Sequence, residues 1–376
     1  SWLERLGRLG EASDLREASL PRAEAAFGPT GRPTLELLLL GATLGIDGDE
    51  AALEICLETD ERLASIDHDL DRPDEWNLAI RSAVSRSVIL FELGRFEEAL
   101  ELRRRVATAL EAMPSTAEVV ELMLSNGGAI ARLLEETGDY PAAIAAYEAS
   151  LDAYETAWGR DHPRTMVVRS DLGILLSRLG MLEQSDEILT RVLEDRLRLQ
   201  GETSPESIRA MANLAVVKRR RGDFASAEVL YADAIRLAER HLEPGHELLI
   251  TARANFGTML QASGRGEEAI PLLRDALERS ETQFGREHPT TISIAGNVAV
   301  CLNQLQRYEE ALPIFEEMAA LSERIRGPDA VQTIIALANR SGVLRSLGRH
   351  EESLAVNDMV LERARRSLPP GHWNVG

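Results

Sequence analysis

The sequence predicts an all-α protein, a solenoid built from repeated helical hairpins, and three observations support this prediction. Glycine-centred turns recur at a nearly constant interval, and a second set of loop residues keeps the same interval. The residues between these marks carry apolar side chains at three- and four-residue spacing, as in Leu172, Leu176 and Leu179. Two turns in each unit imply two helices in each unit, and stacked units would share one continuous core.

The turn glycines define the length of the repeat. The first step between them is 44 residues and the later steps are 42, with Gln306 at the place of one missing glycine. The turns lie at Gly94, Gly138, Gly180, Gly222, Gly264, Gln306 and Gly348. The second mark follows the same 42-residue interval, at His162, Ser204, His246, His288, Ala330 and His372. An interval kept over so many units indicates a tandem array.

Residues at fixed places in the repeat predict where each helix begins. Proline has no N–H to leave unpaired, so Pro163, Pro205 and Pro289 fit the first position of first helices. The loop residue just before that position is expected to cap the helix, as a serine or a histidine. Asp139 and Asp223 are placed to cap second helices.

The second helices carry a small residue five positions after each turn, which would let the two helices of a hairpin approach closely. These residues are Ala99, Ala143, Ser185, Ala227, Ala269, Ala311 and Ser353. Pro271 and Pro313 fall seven positions after their turns, inside second helices. We expect them to bend these helices rather than end them.

The repeat resembles the tetratricopeptide repeat family, and more closely its 42-residue variant in kinesin light chains. The motif Gly-x-x-His-Pro-x-Thr occurs at residues 285–291, Asn-Leu-Ala at 213–215 and Gly-x-Tyr-x-x-Ala at 138–143. The resemblance covers about residues 75 to 376. It implies a right-handed superhelix of helix-turn-helix repeats, with a concave groove lined by the first helices.

Two regions are predicted on this basis. Residues 1–73 fit the repeat less well and are expected to form degenerate helical repeats that serve as an N-terminal cap, with helices near 12–27, 33–45 and 50–66. Residues 74–376 form the tandem array. Because the last residues match the start of another first helix, the array is expected to continue beyond the C-terminus.

Charge and composition exclude several kinds of partner. The net charge of −20 disfavours nucleic acid and anionic membrane surfaces, which bind proteins through basic side chains. No apolar stretch approaches the roughly 20 residues that span a bilayer. Two cysteines give no disulfide framework, which fits a cytoplasmic location. Lys218 is the single lysine among 42 basic residues, a bias that we interpret as bacterial codon usage.

The predicted groove carries a row of polar residues nine positions before the turn. The row consists of Asp171, Asn213, Asn255, Asn297 and Asn339. The resemblance implies that an asparagine at this place hydrogen-bonds the backbone of an extended bound peptide. In the alternative interpretation, these amides bond a carbonyl of a neighbouring helix and stabilise the stack. The sequence leaves both interpretations open.

Further polar and basic residues on this face complete the predicted binding site, namely Arg178, Arg209, Arg219, Arg220, Gln261, Asn303 and Arg345. The run Lys218-Arg219-Arg220-Arg221 is unusual in so acidic a chain. It could bind an acidic peptide or a C-terminal carboxylate through bidentate contacts. Alternatively, it is a solvated helix end whose charge complements the helix dipole.

Magnitudes show that the asparagines alone are too weak for specific binding. Four amide contacts supply about 2 to 6 kcal/mol, whereas micromolar affinity needs about 8 kcal/mol. Arginine anchors or an apolar pocket must add the rest. The small residues Ala212, Ala254, Gly296 and Ala338 are candidates to line such a pocket.

The sequence predicts no catalytic site, metal or cofactor. Four of the seven histidines are loop residues one or more repeats apart, so they cannot converge, and we expect them to cap helices. Because Ser204 occupies the equivalent position of another repeat, we expect that serine could replace His288 with little effect. Residues 67–71 resemble the start of a calcium loop, but Arg72 and Leu78 stand where glycine and glutamate are required.

The sequence therefore predicts a non-catalytic scaffold that binds a protein or peptide segment in the groove. An alternative from another class is the regulatory or sensor region of a larger bacterial signalling enzyme, such as a Ser/Thr kinase, an NTPase or a caspase-like protease. Self-association through exposed repeat ends is a third possibility, which predicts a concentration-dependent mass.

Overall fold

A computed structural model describes residues 19–28, 34, 57–58 and 73–367 of the chain. The predicted all-α fold class is confirmed, because helices joined by short loops make up residues 73–367 and that range contains no strand. Residues 19–27 are also helical. The rest of the predicted cap, and His372, lie outside the described residues, so the cap stays a prediction.

Fourteen helices follow one another between residues 73 and 367, and first and second helices of the repeat alternate along the chain. They are α1 (Pro73–Glu92), α2 (Phe96–Glu111), α3 (Ala117–Glu136), α4 (Tyr140–Trp158), α5 (Pro163–Arg178), α6 (Leu182–Gln200), α7 (Pro205–Arg220), α8 (Phe224–His241), α9 (Glu247–Ala262), α10 (Gly266–Phe284), α11 (Pro289–Gln304), α12 (Tyr308–Arg326), α13 (Val331–Ser346) and α14 (His350–Ser367). The odd-numbered helices are the first helices of the repeat. Two compact units divide the chain, residues 1–175 and residues 176–376, and each is described separately below.

The turn inside each hairpin needs a residue in the left-handed region of backbone space. Gly264 has φ 81°, and the Arg265 N–H returns to the Leu260 carbonyl at 2.8 Å, which closes the end of α9. Gln306 takes this conformation at φ 60° and is the one non-glycine residue with positive φ among the described residues. The repeat frame therefore holds even where its glycine is missing.

The predicted helix caps are confirmed wherever the structure describes them. The Ser204 hydroxyl accepts from the Ser207 N–H at 3.0 Å, and Asp223 accepts from the Ser226 N–H at 3.1 Å. The imidazole Nδ1 of His288 accepts from the Thr290 N–H at 3.2 Å. Asp139, His162 and His246 act in the same way on their own helices. Each cap satisfies one N–H that the first turn leaves unpaired.

Two of these histidine rings, those of His162 and His288, also contact the preceding second helix, which the sequence did not indicate. The ring of His288 stacks on the ring of Phe284, with 4.7 Å between the ring centroids. The ring centroids of His162 and Trp158 lie 4.5 Å apart, and these two rings are tilted relative to each other. Serine could replace the cap but not this aromatic contact. The expectation that serine could replace His288 with little effect therefore leaves out a contact worth about 0.5 to 1.5 kcal/mol.

Close helix approach within the hairpins is confirmed by the small residues after the turns. All seven are buried, from Ala99 to Ser353. On the facing first helix, a Cβ added at Gly257 would lie 2.6 Å from the Leu273 Cγ atom, so glycine is required there. Helices α10 and α12 continue through Pro271 and Pro313, as expected.

Each unit has its own buried core. In the first unit, Ile80, Val106, Leu110 and Val119 of α1, α2 and α3 pack together. In the second unit, a larger cluster surrounds the fully buried Tyr231, whose ring stacks on Phe256 at 5.8 Å. Because each fully buried large apolar side chain contributes about 1.5 to 3 kcal/mol, neighbouring hairpins stabilise one another.

Candidate functional site

The asparagines of the second unit form a row of half-buried or exposed amides on successive first helices. We call Asn213, Asn255, Asn297 and Asn339 the amide row. Asn339 is exposed and the other three are half-buried. Within the described part of the chain, none of these four side chains makes a hydrogen bond. The interpretation that they stabilise the stack through a neighbouring carbonyl therefore has no contact to support it.

A small cavity lies beside the last of these amides. It has a volume of about 240 Å³ and is formed by α11, α12 and α13 of the second unit. Gly296, Met318, Ile335 and Asn339 are among its lining residues. A Cβ at Gly296 would approach the Met318 Cε atom to 3.1 Å, so the glycine keeps the cavity open. The cavity includes the predicted Gly296, but Ala336 lines it instead of Ala338.

The basic run at the end of α7 is largely engaged within the second unit. The Lys218 Nζ atom lies 2.7 Å from a carboxylate oxygen of Asp186, which Arg221 also contacts. Arg220 donates to the carbonyl of Ser177 at the end of α5. These contacts support the helix-end interpretation of Lys218, Arg220 and Arg221. The role of Arg220 as a peptide anchor stays a prediction.

The remaining predicted residues of the second unit differ in exposure and contacts. Gln261 donates from Nε2 to Oε1 of Gln304 at 3.0 Å, a contact between the first helices α9 and α11. The others are exposed or half-buried, namely Arg178, Arg209, Arg219, Asn303 and Arg345. Arg209 and Arg345 form no ion pair with any described carboxylate.

A larger cavity occupies the first-helix face of the first unit, which the sequence analysis did not single out. This first-unit cavity has a volume of about 700 Å³ and is lined by α1, α3, α4 and α5. Its walls include Val88, Phe91, Leu122, Arg132, Tyr147, Tyr154, Val167 and Asp171. Asp171 alone belonged to the predicted site. Because α3 has Ala129 at the position of the polar row, no polar residue indicated a site there.

Asp171 is a half-buried carboxylate of this cavity. Burial raises its pKa above the ordinary 3.8, the nearby Arg132 opposes this shift, and Glu135 adds to it. The Tyr147 hydroxyl donates to Glu135 Oε2 at 3.5 Å, and burial raises the pKa of Tyr147 as well. The Asp171 carboxylate lacks a direct hydrogen-bond or ion-pair partner among the described residues.

Arg164 lines the first-unit cavity and is already paired with a carboxylate. Arg164 contacts the Glu121 carboxylate and lies over the ring of Trp158, 5.4 Å from its centroid. Tyr154 meets the same indole edge-on, with 5.2 Å between ring centroids. The charge of Arg164 is therefore already compensated within the first unit.

Two kinds of feature are absent from the residues that the structure describes. They contain no group of three or more histidine, cysteine or acidic side chains placed to hold a metal ion. None of their helices combines the length and the apolar character that crossing a bilayer requires.

Tandem helical hairpins with capped first helices define a class of helical-repeat proteins. The sequence pattern of the tetratricopeptide repeat matches residues 121–198, 171–240, 206–282, 247–317 and 290–366, and a second pattern of this name matches 80–105. The chain belongs to the tetratricopeptide repeat family, as its repeat motifs predicted.

Known proteins with similar sequence or fold agree with this family. Tetratricopeptide repeat protein 19, mitochondrial, of Homo sapiens is 26% identical over 149 residues, which cover 40% of this chain and 38% of that protein. A Rap protein complexed with Competence and Sporulation Factor has a TM-score of 0.58 at 15% identity, covering 97% of this chain and 99% of that one. Kinesin light chain-like repeats from Podosopora anserina give 0.50 at 16% identity, covering 55% and 99%. At these identities the structures show a shared fold.

Proposed function

We propose that this chain is a non-catalytic interaction scaffold whose second unit binds an extended segment of another protein along its first helices. The observation that carries this proposal is the amide row, because its four side chains are accessible and have no hydrogen-bond partner among the described residues. Each amide offers both a donor and an acceptor. An extended peptide backbone presents the complementary groups at regular intervals.

The small cavity of the second unit supplies the energy that the amides lack. Four amide contacts contribute about 2 to 6 kcal/mol, and micromolar affinity needs about 8 kcal/mol. Ile335 is 39% exposed at the cavity, so apolar surface is available to an incoming side chain. Burial of one apolar side chain adds about 1.5 to 3 kcal/mol. The sum of about 3.5 to 9 kcal/mol reaches the free energy of micromolar binding at its upper end.

A solved protein of similar fold forms a complex with another factor. The Rap protein of similar fold was crystallised with Competence and Sporulation Factor. The alternative hypothesis, a regulatory region of a larger bacterial signalling enzyme, stays a prediction. It would use the same face for contacts within one polypeptide.

The proposal is tested by capture from a cell lysate, followed by quantitative mass spectrometry. The variant Asn255→Ala, Asn297→Ala, Asn339→Ala should recover at least about tenfold less of the captured protein than the unaltered chain, since each lost contact costs about 0.5 to 1.5 kcal/mol. A matched control replaces three second-helix amides, Gln184→Ala, Gln283→Ala and Asn357→Ala. Recovery that falls equally in both variants, or in neither, would refute the proposal.

A further inference from the structure

The first-unit cavity has the size of a ligand site but was not part of the proposed function. Its volume of about 700 Å³ falls within the range of about 300 to 1,000 Å³ that small ligands and side-chain clusters occupy. It lies between first helices and is open to solvent at exposed residues such as Val88 and Val167. The amide row belongs to the other unit, so this cavity is a separate candidate site.

The charge of the cavity is distinctive within this protein. Its lining carries the carboxylates of Glu92, Glu118, Glu121 and Asp171 against the two guanidinium groups of Arg132 and Arg164. The first helices α7, α9, α11 and α13 of the second unit carry seven basic and two acidic residues. The acidity of the cavity is therefore not a general property of first helices in this acidic chain.

The half-buried carboxylate of the cavity, Asp171, has no direct counter-ion among the described residues. Glu121 is satisfied by Arg164, whereas Asp171 forms no ion pair with any described residue. Arg132 also lines the cavity, but its side chain is exposed and not paired with Asp171. A cation that entered the cavity would supply the partner that the partly buried Asp171 lacks.

Apolar surface stands next to this carboxylate. Val88 is 49% exposed and Val167 is 48% exposed, so both aliphatic side chains are accessible at the cavity. Phe91 and Tyr154 lie on the same walls. Lysine and arginine side chains have an aliphatic stem that covers apolar surface and a charged tip that needs an anion. The aliphatic stem would contact Val88 and Val167, and the charged tip would pair with Asp171.

We infer that the first-unit cavity binds a lysine or arginine side chain of a partner protein, with Asp171 as the counter-ion and Val88 and Val167 around the stem. Arg132 competes with the incoming cation for the same carboxylate. The cavity thus selects a segment that contains a basic side chain. The proposed amide contacts of the second unit bind the peptide backbone and do not depend on the charge of its side chains.

The test uses the full chain and three short synthetic peptides, acetylated and amidated, that differ only in a central arginine, leucine or glutamate. Fluorescence anisotropy at low salt should give binding of the arginine peptide about tenfold or more tighter than the others, as one charge-assisted hydrogen bond implies. Higher salt should weaken it, since the cavity is open to solvent. Equal binding of the three peptides, no binding, or preference for glutamate would overturn the inference.

Variants with opposite effects separate this site from a structural role. Asp171→Asn should weaken the arginine peptide about tenfold, whereas Arg132→Gln should strengthen it by removing the competing cation. Asp152→Asn on the exposed face of α4 is the control and should have no effect. Unchanged binding in Asp171→Asn would overturn the inference. The triple asparagine variant should still bind the peptide, so failure of one proposal leaves the other testable.

Discussion

Asp171 shows how one side chain can have the same place in the repeat as its neighbours and a different role. The register of the repeat puts it in the same frame as Asn213. The structure surrounds it with Arg132, Glu135 and Tyr147, and burial raises its pKa. The register identifies the position, but the side chains contributed by other helices determine its electrostatics.

The raised pKa of Asp171 predicts a pH-dependent stability. Between the ordinary value of 3.8 and the raised value, the folded chain binds more protons than the unfolded chain. Stability therefore falls as pH rises through this window and stays lower at neutral pH. Asp171→Asn should raise the free energy of unfolding of the first unit by about 1 kcal/mol at pH 7 and change little below the window.

Denaturant unfolding at several pH values measures this difference, with Asp152→Asn as the exposed control. A variant less stable than the unaltered chain at pH 7 would contradict the prediction. A gain in stability also shows that any loss of peptide binding by Asp171→Asn is not caused by unfolding.

At the level of the helix, α13 is the only first helix from α3 to α13 without a side-chain N-cap. Ala330 occupies the N-cap position of α13 in extended conformation, with φ −66° and ψ 140°. Its methyl side chain has no atom that can accept a hydrogen bond. Ser204 has almost the same backbone angles, φ −70° and ψ 141°, and caps α7. The backbone of α13 is therefore already arranged for a cap.

Ala330→Ser should stabilise the chain by about 1 kcal/mol, because it satisfies an N–H of the first turn without moving the backbone. Thermal unfolding followed by circular dichroism measures the change. The reciprocal substitution Ser204→Ala should cost a similar amount. If Ala330→Ser lowered the melting temperature, the geometric equivalence of the two caps would be wrong.

Helix caps were predictable because they depend on residues adjacent in the chain. Ser204 and Asp223 act on N–H groups three residues away, so their effect is visible in the sequence. The stacking of His288 on Phe284 connects the start of α11 with the end of α10 and depends on the angle between these two helices. Such packing appears only when the helices are assembled.

At the scale of the whole molecule, hairpins contact mainly their neighbours. In the second unit, each helix packs on the next one along the chain, and weaker contacts join α7 to α9 and α9 to α11. Ion pairs such as Arg265 with Glu228 and Arg274 with Glu310 connect successive second helices. Stability should then be close to a sum over repeats and their interfaces.

Deletion of residues 223–264, one whole repeat, should leave a chain that folds cooperatively, because Gly222 then precedes Arg265 in the correct frame. The melting temperature should fall modestly, since one interface is lost. Circular dichroism and size-exclusion chromatography provide the measurement. Deletion of residues 223–243 removes α8 alone and should abolish cooperative unfolding of the second unit. Equal behaviour of the two deletions would refute nearest-neighbour stacking.

The sequence by itself determined the helices, their caps, the repeat interval and the family, because these depend on short-range spacing and on residues repeated in register. Asn213, Asn255, Asn297 and Asn339 could be recognised as a row for the same reason. Whether those amides have partners, and which cations are already paired, depended on helices brought together from different repeats. Only the tertiary structure decided this, and only it revealed the first-unit cavity, since volume and counter-ion distances arise from packing between residues distant in the chain.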